Sequence, residues 1–362
     1  MLQIENRTPF AANLAVFPNP AGVETAYGAV KASFELGAPV PRLAQRQAPF
    51  LAADVFWGDP AGTSLRAAGD VTLAKPATDI LLSGRAVAPA PCETMDVRLR
   101  VGTLVRTIRV FGDRTWLRRG NSWASSDPLP FDRMPLRWEL AFGGVGRSVS
   151  GRPPEHEPRN PVGLGFVTVD DPDVAGLRLP NLEDPADLID EPYARPAPAG
   201  CAAVAPAWLP RRAYAGTYDE AWQRSRAPYL PADFDPRYLN VAPPGLVAAG
   251  FLAGGEEVEV YGCTGGDRLL QFCLPTLALQ MQWDFAGQSI DATAHLDTVL
   301  IEPDFGRLQM VWRAELALDK RALQLRRLAI ACPGLAEADR AAPPQTHLAT
   351  GLTTLMKTGG QA

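Results

Sequence analysis

The sequence predicts a mainly β protein: two antiparallel β-sandwich-like lobes joined by a long, ordered, proline- and aromatic-rich central region with little helix. Two observations carry this. In the first and last thirds of the chain, apolar and polar residues alternate with a period of two, which gives a strand one buried and one wet face. The middle third holds about half of the 35 prolines and is also dense in aromatic rings. Proline fixes φ and removes a backbone donor, so long strands cannot run through that segment.

Taken in order, Val30, Ala32 and Phe34 alternate with Lys31, Ser33 and Glu35. Met95, Val97, Leu99 and Val101 alternate with Asp96, Arg98 and Arg100. Gly102-Thr103 then reads as a tight turn into a second strand, Leu104–Phe111, closed by Gly112-Asp113. These make an N-terminal β lobe over 1–130. The loop-rich region 131–245 carries Trp138, Phe142, Phe166, Trp208, Tyr214, Tyr218, Trp222, Tyr229, Phe234 and Tyr238. Disordered chains are poor in such residues, so long loops pinned by buried rings are expected, with one short helix near 219–226. A C-terminal β lobe over 246–335 follows from Val258 and Val260, a turn at Gly265-Gly266-Asp267, then Leu270, Phe272 and Leu274. Leu277, Leu279, Met281 and Trp283, and later Leu308, Met310, Trp312 and Ala314, continue the alternation. The tail 336–362, with Pro343-Pro344 and Gly359-Gly360, is expected to be flexible.

The chain has 362 residues, 46% of them hydrophobic, enough for a substantial core. A net charge of −5 gives no basic surplus, which argues against a nucleic-acid partner. Residues 1–10 carry Glu5 and Arg7 and do not read as a secretory segment. No stretch reaches the roughly 18 apolar residues that a membrane helix needs. Cys92, Cys201, Cys263, Cys273 and Cys332 therefore read as reduced thiols, and the expected location is cytoplasmic.

Chemical motifs are weak. His156, His295 and His347 are scattered, and no Cys-x-x-Cys occurs, so no metal site or cofactor is expected. Ser148 and Ser150 flank the glycine-rich turn 143–151, but no nucleophile elbow is present. The clusters Gly143-Gly144-Val145-Gly146 and Gly163-Leu164-Gly165 read as turns needing positive φ rather than as phosphate loops. Glu139, Glu155, Glu157, Asp170, Asp171 and Asp173 lie in the central loops. With eight tryptophans in the chain, they support an alternative reading as a carbohydrate-binding or glycoside-cleaving protein. Two segments mix arginines with rings: one runs from Arg133 through Arg137 to Trp138, the other from Trp208 through Arg211 and Arg212 to Tyr214. These residue types are enriched at protein interface hot spots.

Several ordered strings carry a resemblance. They are Gly112-Asp113-Arg114-Thr115-Trp116, Phe131-Asp132-Arg133-Met134-Pro135-Leu136-Arg137-Trp138-Glu139, Asn160-Pro161-Val162-Gly163-Leu164-Gly165-Phe166 and Leu179-Pro180-Asn181-Leu182-Glu183. The longest begins Trp208-Leu209-Pro210-Arg211-Arg212-Ala213-Tyr214 and runs on to Leu230-Pro231-Ala232-Asp233-Phe234. Together they resemble the domain-of-unknown-function 2169 family, read as type VI secretion system accessory proteins. Leu164, Cys201-Ala202-Ala203 and Pro244-Gly245 depart from the family pattern. The resemblance implies a non-enzymatic adaptor or chaperone that binds a type VI effector, PAAR-type or similar, and promotes its loading on the spike trimer. It brings no catalytic residues. Within that role, the partner-binding candidates are Arg133, Arg137, Trp208, Arg211, Arg212 and Tyr218.

Overall fold

A computed structural model describes residues 2–147, 153–169, 171, 173–265 and 269–335, and the backbone of Thr346–Ala349. Ser148, Ser150, Asp170, the end of the Gly265-Gly266-Asp267 turn and most of the tail lie outside the described residues. The fold is mainly β, organised into several sheets, with one short α-helix, Glu220–Ser225, among the described residues. That helix falls where the sequence places it, because the Asp219 carboxylate accepts a hydrogen bond from the Trp222 amide at 2.8 Å and caps its first turn.

The hairpin Thr94–Val101 with Leu104–Phe111 is also as expected, with Val101 opposite Leu104 and Gly102 at φ +55° in the two-residue turn. Met95, Val97, Leu99 and Val101 are buried, and the alternate residues are half-buried or exposed.

The lobe boundaries drawn at 130 and 245 do not separate the sheets. In the largest sheet, Glu24–Glu35 pairs along its length with Arg307–Ala317, placing Val30 opposite Trp312. In the five-stranded sheet, Thr94–Val101 pairs with Glu257–Tyr261, placing Leu99 opposite Val260. Gln3–Asn6 joins Leu325–Ala331 in the four-stranded sheet. The β segments from the two ends of the chain thus interleave. Alternation along a strand defines its faces but carries no information about which distant strand will pair with it.

A second difference concerns Lys31 and Ser33, read from alternation as a wet face. Both are buried. Segment 44–70 covers them: Lys31 pairs with Asp70 at 2.7 Å, and the Ser33 amide donates to the Gln47 side chain at 2.7 Å. A polar residue under such a cover is tolerated because its hydrogen bonds are met.

The four-stranded sheet packs face to face on Glu24–Glu35 through Gly28. A Cβ built there would lie 2.8 Å from a Leu328 methyl and 3.2 Å from both the Met281 sulfur and the Trp283 ring. Gly28→Val is therefore expected to overpack this contact and destabilise the protein by about 1–3 kcal/mol, read as a lower urea midpoint at unchanged slope.

The central region is held by buried polar groups as well as by rings. Asp79, fully buried at the start of Asp79–Leu82, accepts from Lys75 Nζ at 2.8 Å and Asn240 Nδ2 at 3.0 Å. It also accepts from the Val241 and Ala242 amides at 2.9 and 3.1 Å. One carboxylate thus anchors the end of the central region to the largest sheet. Glu183 does similar work near its middle, pairing with buried Arg114 and accepting from the Ile189 amide at 2.8 Å.

Candidate partner-binding surface

The excursion 216–233 is a largely exposed part of the central region. Its neck is closed by Asp233, whose carboxylate accepts from the Thr217 amide at 3.0 Å and the Thr217 hydroxyl at 2.7 Å. Gly216 makes the closure possible: at φ +82°, a side chain there would be strained and its Cβ would meet Pro231 at 2.8 Å. Inside the excursion, Trp222 Nε1 donates to the Tyr229 carbonyl at 2.8 Å, and Arg226 donates to the Pro20 carbonyl at 2.6 Å. The loop is thus internally tied and docked at its base. Yet no residue of Glu220–Ser225 is buried, and Tyr218 and Tyr229 are 55% and 43% exposed. Tyr218 stands edge-on to Trp222 with centroids 4.8 Å apart. Rigid rings held out to solvent lose little conformational entropy when a partner covers them.

The Thr217 hydrogen bonds, the backbone one foremost, hold the Asp233 carboxyl below its ordinary value of 3.8. A carboxylate depressed in the folded state stabilises at neutral pH, and that contribution is lost as pH falls through the folded pKa. The clasp is therefore expected to persist at pH 4 and open only in stronger acid. Pepsin should cut within 216–233 slowly at pH 4 in the native protein, and readily at the same pH in Asp233→Asn.

The six candidate residues divide by burial. Arg133, Arg212 and Tyr218 are exposed, and Arg137 is half-buried, with its guanidinium 3.5 Å from the Trp57 ring centroid. Trp208 and Arg211 belong to the interior. Trp208 packs edge-on against Trp138 with centroids 6.3 Å apart. Arg211 donates to the Val204 carbonyl at 2.6 Å and the Tyr238 carbonyl at 3.1 Å. Burial pulls its pKa below the usual guanidinium range. The tight turn Arg211–Tyr214 sends the first arginine inward and the second outward, a distinction that composition does not carry.

Three of the central carboxylates, Glu139, Asp171 and Glu157, are engaged in local structure. Glu139 accepts from the Ser64 amide at 2.7 Å and the Ser64 hydroxyl at 2.8 Å. Asp171 pairs with Arg147 at 2.9 Å. Burial alone would push the Glu157 carboxyl up, but hydrogen bonds from the Arg159 side chain and amide outweigh it and leave it below the ordinary range. A glycosidic general acid needs the opposite shift. Among the described residues no His, Cys, Asp and Glu group is arranged to hold a metal, and no helix is long and apolar enough to cross a membrane. The glycine clusters are close-approach turns: a Cβ on Gly143, at φ +151°, would sit 2.1 Å from the Asn160 carbonyl oxygen.

Residues 21–313 match a family described as an uncharacterized protein conserved in bacteria, DUF2169. The chain belongs to the DUF2169 family. No curated protein and no solved structure matches it. The excursion, the Trp208 and Arg211 anchors and the Asp79 network all fall within the matched span of this DUF2169 chain.

Proposed function

We propose that this protein is a non-enzymatic adaptor or chaperone that binds a type VI secretion effector, PAAR-type or similar, in the cytoplasm and promotes its loading on the spike. The observation that carries the reading is the excursion 216–233, tied at its neck and base yet presenting Tyr218 and Tyr229 to solvent. Solvent-facing rings on an ordered loop, with exposed Arg212 beside it, have the composition of interface hot spots. The strings quoted from the sequence supply the secretion context.

Deleting the gene tests the proposal in a strain where the adjacent gene encodes a spike or toxin. The adaptor reading expects that effector to lose solubility and delivery, with both restored by complementation. Equal effector solubility and delivery without this protein would reject it.

A further inference from the structure

We infer that Arg66, Arg137 and Trp57 form a carboxylate-docking site for an acidic segment of the partner protein, an inference that rests on the adaptor reading. Val55–Phe56 and Leu65–Ala67 form a small antiparallel ladder, extended by the Trp57 amide donating to the Ser64 carbonyl at 3.1 Å. Glu139 clips this hairpin to the central region through both of its oxygens, one on the Ser64 amide and one on the Ser64 hydroxyl. The clip brings two guanidinium groups from separate segments to one indole. Arg137 lies 3.5 Å and Arg66 5.5 Å from the Trp57 ring centroid.

What sets this pair apart is that two guanidinium groups share one indole. Neither guanidinium donates to an acceptor or pairs with a carboxylate among the described residues. Arg114, Arg159 and Arg313, by contrast, each hold a carboxylate. Each unclaimed guanidinium carries five N–H donors. Stacking on an aromatic face orients the planar group and leaves its donor edges open for a bidentate acceptor. The Glu139 carboxylate is held by the Ser64 amide and hydroxyl and, among the described residues, accepts from neither guanidinium. Arg66 is exposed and Arg137 half-buried, so the site is open to a partner.

The complementary ligand is a run of aspartate or glutamate side chains. A polyphosphate chain fits less well, because the protein as a whole carries a net charge of −5 and repels a densely charged polyanion beyond the local site. A short acidic peptide carries few charges and reaches two guanidinium groups without meeting that wider field.

The test uses the full chain and a fluorescein-labelled decapeptide alternating glutamate and glycine, followed by fluorescence anisotropy in about 50 mM salt. Arg66→Gln/Arg137→Gln is expected to weaken binding by at least about ten-fold. Arg98→Gln/Arg119→Gln removes the same charge at other exposed positions and is expected to leave binding within about two-fold. Thermal melts check that each variant folds; if the first double variant does not, Arg66→Gln alone replaces it. Equal losses in the two double variants, no binding by the native protein, or equal binding of an oligothymidylate of the same length would each overturn the site. Co-expression with the effector separates the two proposals. Full capture by a folded Arg66→Gln/Arg137→Gln protein rejects the docking site and leaves the adaptor reading standing. No capture by the native protein rejects the adaptor reading itself.

Discussion

Asp79→Ala is expected to destabilise the protein by about 3–5 kcal/mol. The carboxylate is fully buried and accepts from four donors, so its removal strands Lys75 in the interior and frees the amides of Val241 and Ala242. Lys75 keeps a hydrogen bond to Thr298 Oγ1 at 2.7 Å, which does not neutralise its charge. Urea unfolding measures the loss. The companion variant Lys75→Met/Asp79→Leu separates the two contributions, because replacing both charges with apolar groups of similar volume removes the stranded cation. It is expected to recover part of the stability while the amides of Val241 and Ala242 remain unpaired. Limited proteolysis of Asp79→Ala should cut first near 240–242, where the central region loses its anchor.

Trp208→Ala is expected to cost about 3–5 kcal/mol, through lost burial and the cavity left against Trp138. Arg211→Ala removes the donors to the Val204 and Tyr238 carbonyls and is expected to cost about 1–3 kcal/mol. Arg212→Ala alters an exposed side chain and is expected to stay within about 0.5 kcal/mol of the native protein. A double replacement of Arg211 and Arg212 would therefore weaken the fold whatever its effect on a partner. Only Arg212→Ala reports on binding alone.

The strands and turns of this protein were legible where the signal is local. Thr94–Val101 follows from period two and the two-residue turn after it, and Glu220–Ser225 falls within the 219–226 where one short helix was expected. What depends on distant partners was not legible. The register of Glu24–Glu35 on Arg307–Ala317 joins segments whose alternation looks alike, and Lys31 is buried only because segment 44–70 folds over it. The site shows the same division. Tyr218 was marked by its aromatic, loop-rich setting, and Arg211 and Arg212 were marked together although the turn sends them to opposite sides. Trp57 and Arg66 carried no signal, because the clip that joins them to Arg137 runs from Glu139 to Ser64 across the sequence.

The adaptor reading rests on an ordered, ring-bearing excursion holding a protein partner. In a strain where the adjacent gene encodes a spike or toxin, co-purification with that gene's product tests it most directly, comparing the native chain with Tyr218→Ser/Tyr229→Ser. Tyr218 and Tyr229 are 55% and 43% exposed, and thermal melts check that the double variant folds. The account predicts a native complex of defined stoichiometry and a loss of capture of about ten-fold or more in the variant. Equal capture by a folded Tyr218→Ser/Tyr229→Ser protein would contradict it.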